Sequence, residues 1–127
     1  MTYRGDMARR PVLVFDGDCG FCTWSAGLVD RWALGRLDVV PWQTADLASL
    51  GLTSAECAEA VQYVDAGVHG SGGAAVARAL LLCRAPGPTV GRVLLRARVA
   101  PLAERAYRVV AANRHRLPGS TPACALA

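Results

Sequence analysis

Two cysteines three residues apart carry the first chemistry that this sequence offers, in the run Asp16-Gly17-Asp18-Cys19-Gly20-Phe21-Cys22. On the first turn of a helix, residues i and i+3 share a face with Cβ atoms about 5–6 Å apart, and small adjustments bring such a pair into disulfide range. The pair would open and close reversibly. A helix N-terminus adds unpaired N–H groups and the positive end of the helix dipole, which stabilise a thiolate. Cys19, at the mouth of the turn, is therefore expected to be the attacking nucleophile. Cys22, one turn inside and next to Trp24, is expected to be the more buried resolving thiol that attacks the mixed disulfide. Asp18 opposes thiolate formation at its neighbour, which points to a reducing poise. Asp16 is placed by spacing to take the proton of Cys22 as that thiol attacks.

The same residues admit other readings. A C-x-x-C pair is also half of a zinc site, but Cys57, Cys83 and Cys124 are isolated and His69 and His115 show no paired ligand spacing, so the second half is missing. A strand ending in Asp16-Gly-Asp18 resembles the nucleophile motif of haloacid-dehalogenase-like phosphatases, in which Asp16 would attack phosphorus and Asp18 act as general acid. Against that stand the absence of Thr or Ser at the expected place, of any lysine, and of a later acidic pair for magnesium. A non-enzymatic interaction module remains the rival of a different class. No metal or organic cofactor is expected.

The dithiol needs a strand before it and a helix after it. Pro11-Val-Leu-Val-Phe15 reads as a buried strand that stops at a polar, Gly-containing turn. From Phe21 the apolar positions Trp24, Leu28 and Trp32, with Val29 beside them, fall at helical spacing up to a stop at Gly35. Leu37 to Val40 gives a second strand, closed by Pro41. Thr53-Ser-Ala-Glu56 fits a capping box opening a short helix through Ala60. Val61 to Val64 and the segment around Val68 form a hairpin across Asp65-Ala66-Gly67. Gly70, Gly72 and Gly73 lead into a helix from Ala74 to Arg84, ended by Pro86-Gly87-Pro88, and helices over Val90 to Val99 and Pro101 to about Arg116 follow. The order β-α-β-α-β-β-α with a helical C-terminal extension is that of a glutaredoxin-like version of the thioredoxin fold, an α/β class. It is read as one domain, with its core at about 11–85, the extension at about 89–117 and a loose tail at 118–127.

Composition sets the frame. With 127 residues, 53% of them hydrophobic, the chain is long enough to bury a core without cysteine staples. Five cysteines and a polar N-terminus without a secretory pattern point to the cytoplasm and against a disulfide framework. No apolar run approaches the roughly 18 residues of a membrane span. The net charge of +4 is uneven: residues 1–66 hold 5 Arg against 9 acids, and residues 67–127 hold 9 Arg against Glu104 alone. All 14 basic residues are arginine, which removes lysine-dependent chemistry. The Arg-rich half, Arg92 to Arg116, suits a peripheral membrane surface or an acidic partner, or is simply a solvated face. It lacks the aromatic platforms of a single-strand nucleic-acid binder, so no nucleic acid is expected.

The chain also resembles the thiol-disulfide oxidoreductase DCC family, whose members begin strand-D-G-x-C-x-x-C. Asp16, Gly17, Cys19 and Cys22 match that opening. Gly72-x-x-Ala75 and the segment Tyr107 to Leu117, with Tyr107, Ala111, Asn113, Arg114 and Arg116, match its later motifs, and a cysteine near the C-terminus, here Cys124, recurs in such proteins. The resemblance implies a thioredoxin-like fold and a disulfide reductase acting on a disulfide-containing protein or a small-molecule thiol, with Tyr107, Asn113, Arg114 and Cys124 as auxiliary residues. No proline precedes Val61, where thioredoxins and glutaredoxins place the cis-proline that aligns a substrate chain, so substrate capture must differ. Gly70-Ser-Gly-Gly73 is either a tight hairpin exit or an anion cradle on backbone N–H groups; the acidic residue that glutaredoxins carry just afterwards is Ala74 here, which favours the exit. Cys83 and Cys57 read as small core hydrophobes.

Overall fold

The structure, a computed structural model, describes residues 10–113. The auxiliary positions Arg114 and Cys124 lie outside the described residues. The chain runs β1 (Val12–Phe15), α1 (Gly20–Ala33), β2 (Asp38–Pro41), α2 (Leu47–Leu50), α3 (Ser54–Glu59), β3 (Gln62–Asp65), β4 (Val68–Ser71), α4 (Gly73–Leu80), α5 (Gly87–Leu94) and α6 (Ala100–Ala112). The four strands form one mixed sheet in the order β2-β1-β3-β4, with β1 parallel to β2 and antiparallel to β3, and β3 antiparallel to β4. The connection between parallel β1 and β2 cannot be a tight turn, and α1 provides the crossover.

Alternation along β1 divides the core. Leu13 faces Ala33, Leu37, Tyr63, Ala75, Ala79 and Cys83, the layer built from α1 and α4. Val12 and Val14 face Leu50, Leu52 and Cys57, the layer built from α2, α3 and their flanks. Side chains that alternate between two covered faces make β1 apolar throughout, as its sequence reads. A mixed sheet with helices packed on both faces, and a βαβ unit leading into a hairpin, is a thioredoxin-like α/β fold.

Several local expectations are met. The capping box is present, with Thr53 Oγ1 accepting from the Glu56 N–H (3.2 Å) and Glu56 Oε1 accepting from the Thr53 N–H (3.1 Å). The hairpin pairs Asp65 with Val68, so its loop is the two residues Ala66 and Gly67, with Gly67 at φ 78°. Cys83 is fully buried among core side chains, and Cys57 is buried on the other face.

Three expectations are corrected. The buried stripe of α1 is Ala26, Val29 and Ala33, whereas Trp24 and Trp32 are 50% and 42% exposed. Small residues bring the helix close to the sheet, and the indoles turn outward, Trp24 beside Phe21 (centroids 6.2 Å apart) and Trp32 under the Arg84 guanidinium (6.0 Å). Helix α4 stops at Leu80 instead of Arg84, because Leu82 and Cys83 donate three residues back in tight turns and the Arg84 N–H goes to Trp32 O. Gly87 and Pro88 do not merely terminate a helix but open α5, where a missing N–H and a fixed φ do no harm in the first turn.

The close crossing of α4 and α5 depends on glycine. A Cβ at Gly91 would lie 2.6 Å from Ala77 O, a backbone atom that cannot swing away. Gly91→Ala gains about 0.5–1 kcal/mol of helix propensity, but overpacking against fixed backbone costs about 1–3 kcal/mol. Overpacking is expected to win, and the variant should show a lower urea midpoint with an unchanged slope.

Candidate functional site

The site begins where β1 ends. Phe15 passes into Asp16-Gly17-Asp18-Cys19, and a side chain from beyond β2 clamps this turn. Gln43 Oε1 accepts from the Gly17 N–H (3.0 Å) while Gln43 Nε2 donates to Asp16 Oδ1 (2.9 Å). The same Asp16 oxygen accepts from the Asp18 N–H (3.0 Å), and Asp16 O accepts from the Cys19 N–H (3.3 Å). A Cβ at Gly17 would sit 2.7 Å from Pro41 Cβ and 2.9 Å from Gln43 Oε1, so the turn is pressed onto the exit of β2 at a place only glycine fits. Gln43 is a residue that sequence reasoning missed; 26 positions of chain separate it from Gly17, and nothing in the local pattern around it signals the contact.

The turn delivers Cys19 to the N-cap of α1, with extended backbone (φ −88°, ψ 117°), and its carbonyl accepts the first helical bonds from the Thr23 N–H and Oγ1, both at 3.0 Å. Cys22 follows one turn on. The expected order of burial is reversed: Cys19 is fully buried, whereas Cys22 is half-buried and lines a cavity. As the N-cap residue Cys19 stands outside helical φ/ψ, so its side chain does not take the helix-face direction that Cys22 takes. Cys19 is disulfide-bonded, and none of the other three described cysteines, Cys22, Cys57 and Cys83, is in a disulfide. Burial pushes the Cys57 thiol up to about 11, with the Glu56 carboxylate adding to the effect, and burial also raises Cys83. Both are poor nucleophiles at neutral pH.

An apolar cavity of about 410 Å³ opens beside the pair. Phe15, Asp16, Phe21 and Cys22 line one end; Val61 and Val76 form its floor; Tyr107, Val110 and Ala111 of α6 form the opposite wall. Asp16 and Cys22 thus share one cavity. Helix α6 is tied down at two backbone donors. Tyr107 Oη accepts from the Val61 N–H (3.0 Å), just ahead of β3, and Glu104 Oε2 accepts from the Gly73 N–H (2.9 Å) in the first turn of α4. The Gly-rich segment before α4 is therefore a tight hairpin exit whose anion position is filled by the protein's own carboxylate. A Cβ at Gly72, itself at φ 61°, would lie 2.6 Å from Glu104 Oε1. Tyr107 is brought to the site, but Asn113 is not: its Nδ2 donates to Val109 O (2.8 Å) and closes its own helix.

On the far side of Tyr107 a second, more polar cavity of about 510 Å³ meets Glu56, Gln62, His69 and Glu104. His69 pairs with Gln62 Oε1 (2.8 Å), and the buried Gln62 amide donates to Glu56 O and Ala60 O at 3.0 Å each. Among the described residues no group of three or more His, Cys, Asp or Glu is arranged to hold a metal ion. No described helix is long and apolar enough to cross a membrane.

The α6 anchors are testable. Glu104→Ala leaves the first turn of α4 without its charged acceptor and is expected to cost about 1–3 kcal/mol of stability. Tyr107→Phe strands the Val61 N–H at the cavity floor and should cost about 1 kcal/mol. Urea denaturation of each variant checks both figures.

The sequence model of the DCC1-like thiol-disulfide oxidoreductases matches residues 13–120, from β1 to beyond α6. No curated protein and no solved structure matches the chain. With a turn that sets Cys19 and Cys22 on the N-terminus of α1, and a family match that covers nearly all of the chain, the chain belongs to the DCC1-like thiol-disulfide oxidoreductase family and is an enzyme of that class.

Proposed function

We propose that Cys19 is the nucleophile and Cys22 the resolving thiol of a disulfide reductase that works in the cytoplasm. The observation that carries the reading is the placement of Cys19 at the N-cap of α1 with Cys22 three residues on, facing the apolar cavity. At the N-cap a sulfur lies nearest the unpaired N–H groups of the first turn, and that favours its thiolate. The Cys19 thiolate attacks one sulfur of a client disulfide. The S–S bond breaks, one client thiolate leaves, and a mixed disulfide remains. The Cys22 thiol gives up its proton and attacks Cys19 Sγ, releasing the second client thiolate. Asp16 lines the same cavity as Cys22, and this supports its role as the acceptor of that proton. Asp18, exposed and directly before Cys19, holds the couple reducing.

The client is a disulfide-containing protein or small molecule whose contact surface is apolar, in keeping with the walls of the cavity. The exposed arginines of α5 and α6, including Arg92, Arg105 and Arg108, support an acidic partner or an anionic membrane surface as a second contact.

An insulin-reduction assay tests the chemistry. Cys19→Ser is expected to abolish turnover. Cys22→Ser is expected to trap a mixed disulfide with a thiol-reactive client, and Asp16→Asn to slow its resolution by on the order of 100-fold. Turnover that survives Cys19→Ser overturns the assignment. Alkylation supplies an independent check: a thiol held near pKa 11 is ionised in only about one molecule in a thousand at pH 8, so Cys57 should resist iodoacetamide in the folded, reduced protein. The neutral Cys57 thiol also stabilises the fold fully below about pH 9, its ordinary value, and that contribution is lost as pH rises towards 11.

A further inference from the structure

Gln43 reaches the dithiol turn from a different element, and its amide is used at both ends. Strand β2 ends at Pro41, opposite Phe15, and the Trp42 N–H still donates to Phe15 O (2.8 Å), so the pairing with β1 runs one bond past the strand. Trp42 packs into the layer of Val12 and Val14, and the Thr44 N–H donates back to Pro41 O (3.2 Å). Gln43 is thus carried on a short, anchored turn, although it is itself exposed. Ordering an exposed glutamine costs rotamer freedom, so its side chain settles only where it gains specific partners. Here Oε1 accepts from the Gly17 N–H (3.0 Å) and Nε2 donates to Asp16 Oδ1 (2.9 Å). The partners dictate that orientation, because a backbone N–H needs an acceptor and a carboxylate needs a donor. Asp16 Oδ1 also accepts from the Asp18 N–H (3.0 Å). Both lone pairs of that oxygen are then taken, and the carboxylate is held against rotation. A proton arriving at Asp16 goes to Oδ2. Asp16 lines the cavity that Cys22 lines.

We propose that Gln43 is a positioning residue for the resolving step, holding the Asp16 carboxylate so that Oδ2 takes the proton of Cys22. The proposal rests on the dithiol reading above, with Asp16 as proton acceptor, and adds the group that sets Asp16 in place. As the Cys22 proton passes to Asp16 Oδ2, the electron pair on Cys22 Sγ forms the bond to Cys19 Sγ. The bond from Cys19 to the client sulfur breaks, and its electron pair leaves on the client, which takes the proton from Asp16 by way of water. Over the cycle two electrons pass from the dithiol to the client disulfide, and Asp16 ends as it began. Proton transfer requires donor and acceptor within hydrogen-bond reach, and a misplacement of about 1 Å costs up to about 100-fold. The two arms of Gln43 are separable. Glutamate at this position keeps an acceptor for the Gly17 N–H but sets a like charge against Asp16 in place of a donor. The two carboxylates then repel each other or share a proton, and either outcome takes Oδ2 away from Cys22.

Stopped-flow reduction of dithiobis(nitrobenzoic acid) by the reduced protein tests the role. Attack by Cys19 releases one coloured nitrothiobenzoate and leaves a mixed disulfide; attack by Cys22 releases the second. The resolving phase is the one that Cys22→Ser removes. Gln43→Glu is expected to slow the resolving phase by on the order of 10-fold, and the first phase by no more than about 3-fold, the range of a like charge added at a surface. In the Asp16→Asn background the side-chain oxygen at position 16 still accepts from Gln43, and there Gln43→Glu is expected to slow the resolving phase no further. Equal slowing of both phases, no slowing, or the same slowing with and without the Asp16 carboxylate overturns the positioning role and leaves the dithiol reading intact. A resolving phase unchanged by Asp16→Asn removes Asp16 as the acceptor and the role of Gln43 with it. A wild-type trace that Cys22→Ser does not alter overturns the dithiol reading itself.

Discussion

The contact between the β1–α1 turn and the exit of β2 is the constraint on which the site depends. Gly17 packs against Pro41 without room for a Cβ, and Gln43 binds both Gly17 and Asp16. This double bond fixes the direction in which the chain leaves the sheet, and so places Cys19 at an N-cap and not within the helix. Without it the same sequence would still make a strand and a helix, but the first cysteine would have no defined position relative to the helix end. The reactivity of a thiol in such a place follows from a few unpaired N–H groups whose influence fades within a turn.

Packing by small residues is the second organising feature. Ala26 and Ala33 of α1, Ala75 and Ala79 of α4, and Gly91 of α5 let helix backbones approach one another and the sheet. Close approach leaves little space for large rings, so two of the three tryptophans are half exposed on α1. Among the described residues it also leaves a cavity lined by side chains of α1 and α6, and this is the groove beside Cys22.

Much of this was legible in the sequence for identifiable reasons. The strand before the dithiol, the capping box at Thr53 and the hairpin at Gly67 are local, and each is written in neighbouring residue types. The family resemblance rested on spacings that survive in one dimension. What was not legible depends on residues far apart in the chain. The outward turn of Trp24 and Trp32 could not be read from helical spacing, because spacing gives the angle between faces but not which face docks. The early end of α4 depends on Trp32 O, and the clamp by Gln43 on a contact across two elements. The short α2, capped by Asp46 through the Ser49 N–H at 3.4 Å, was missed although its N-cap residue and Gly51 stop are both local signals. The reversed burial of Cys19 and Cys22 is a matter of tertiary placement, which local spacing does not encode.

Tyr107 and Val61 carry a consequence for recognition. In a fold whose substrates could lie along the start of β3, the Val61 N–H is the main-chain donor that would greet an extended partner, and here it is given to a phenol of the same chain. The groove beside it is lined mostly by apolar side chains, with the Asp16 carboxylate and the Cys22 thiol at one end, and the Val61 N–H is already taken. For the apolar client proposed above, affinity would scale with the apolar area hidden from water, at about 25 cal/mol per Å², and hardly with the regularity of its backbone. Under that proposal shape and apolar area, and not strand-forming ability, are the quantities on which client selection would act.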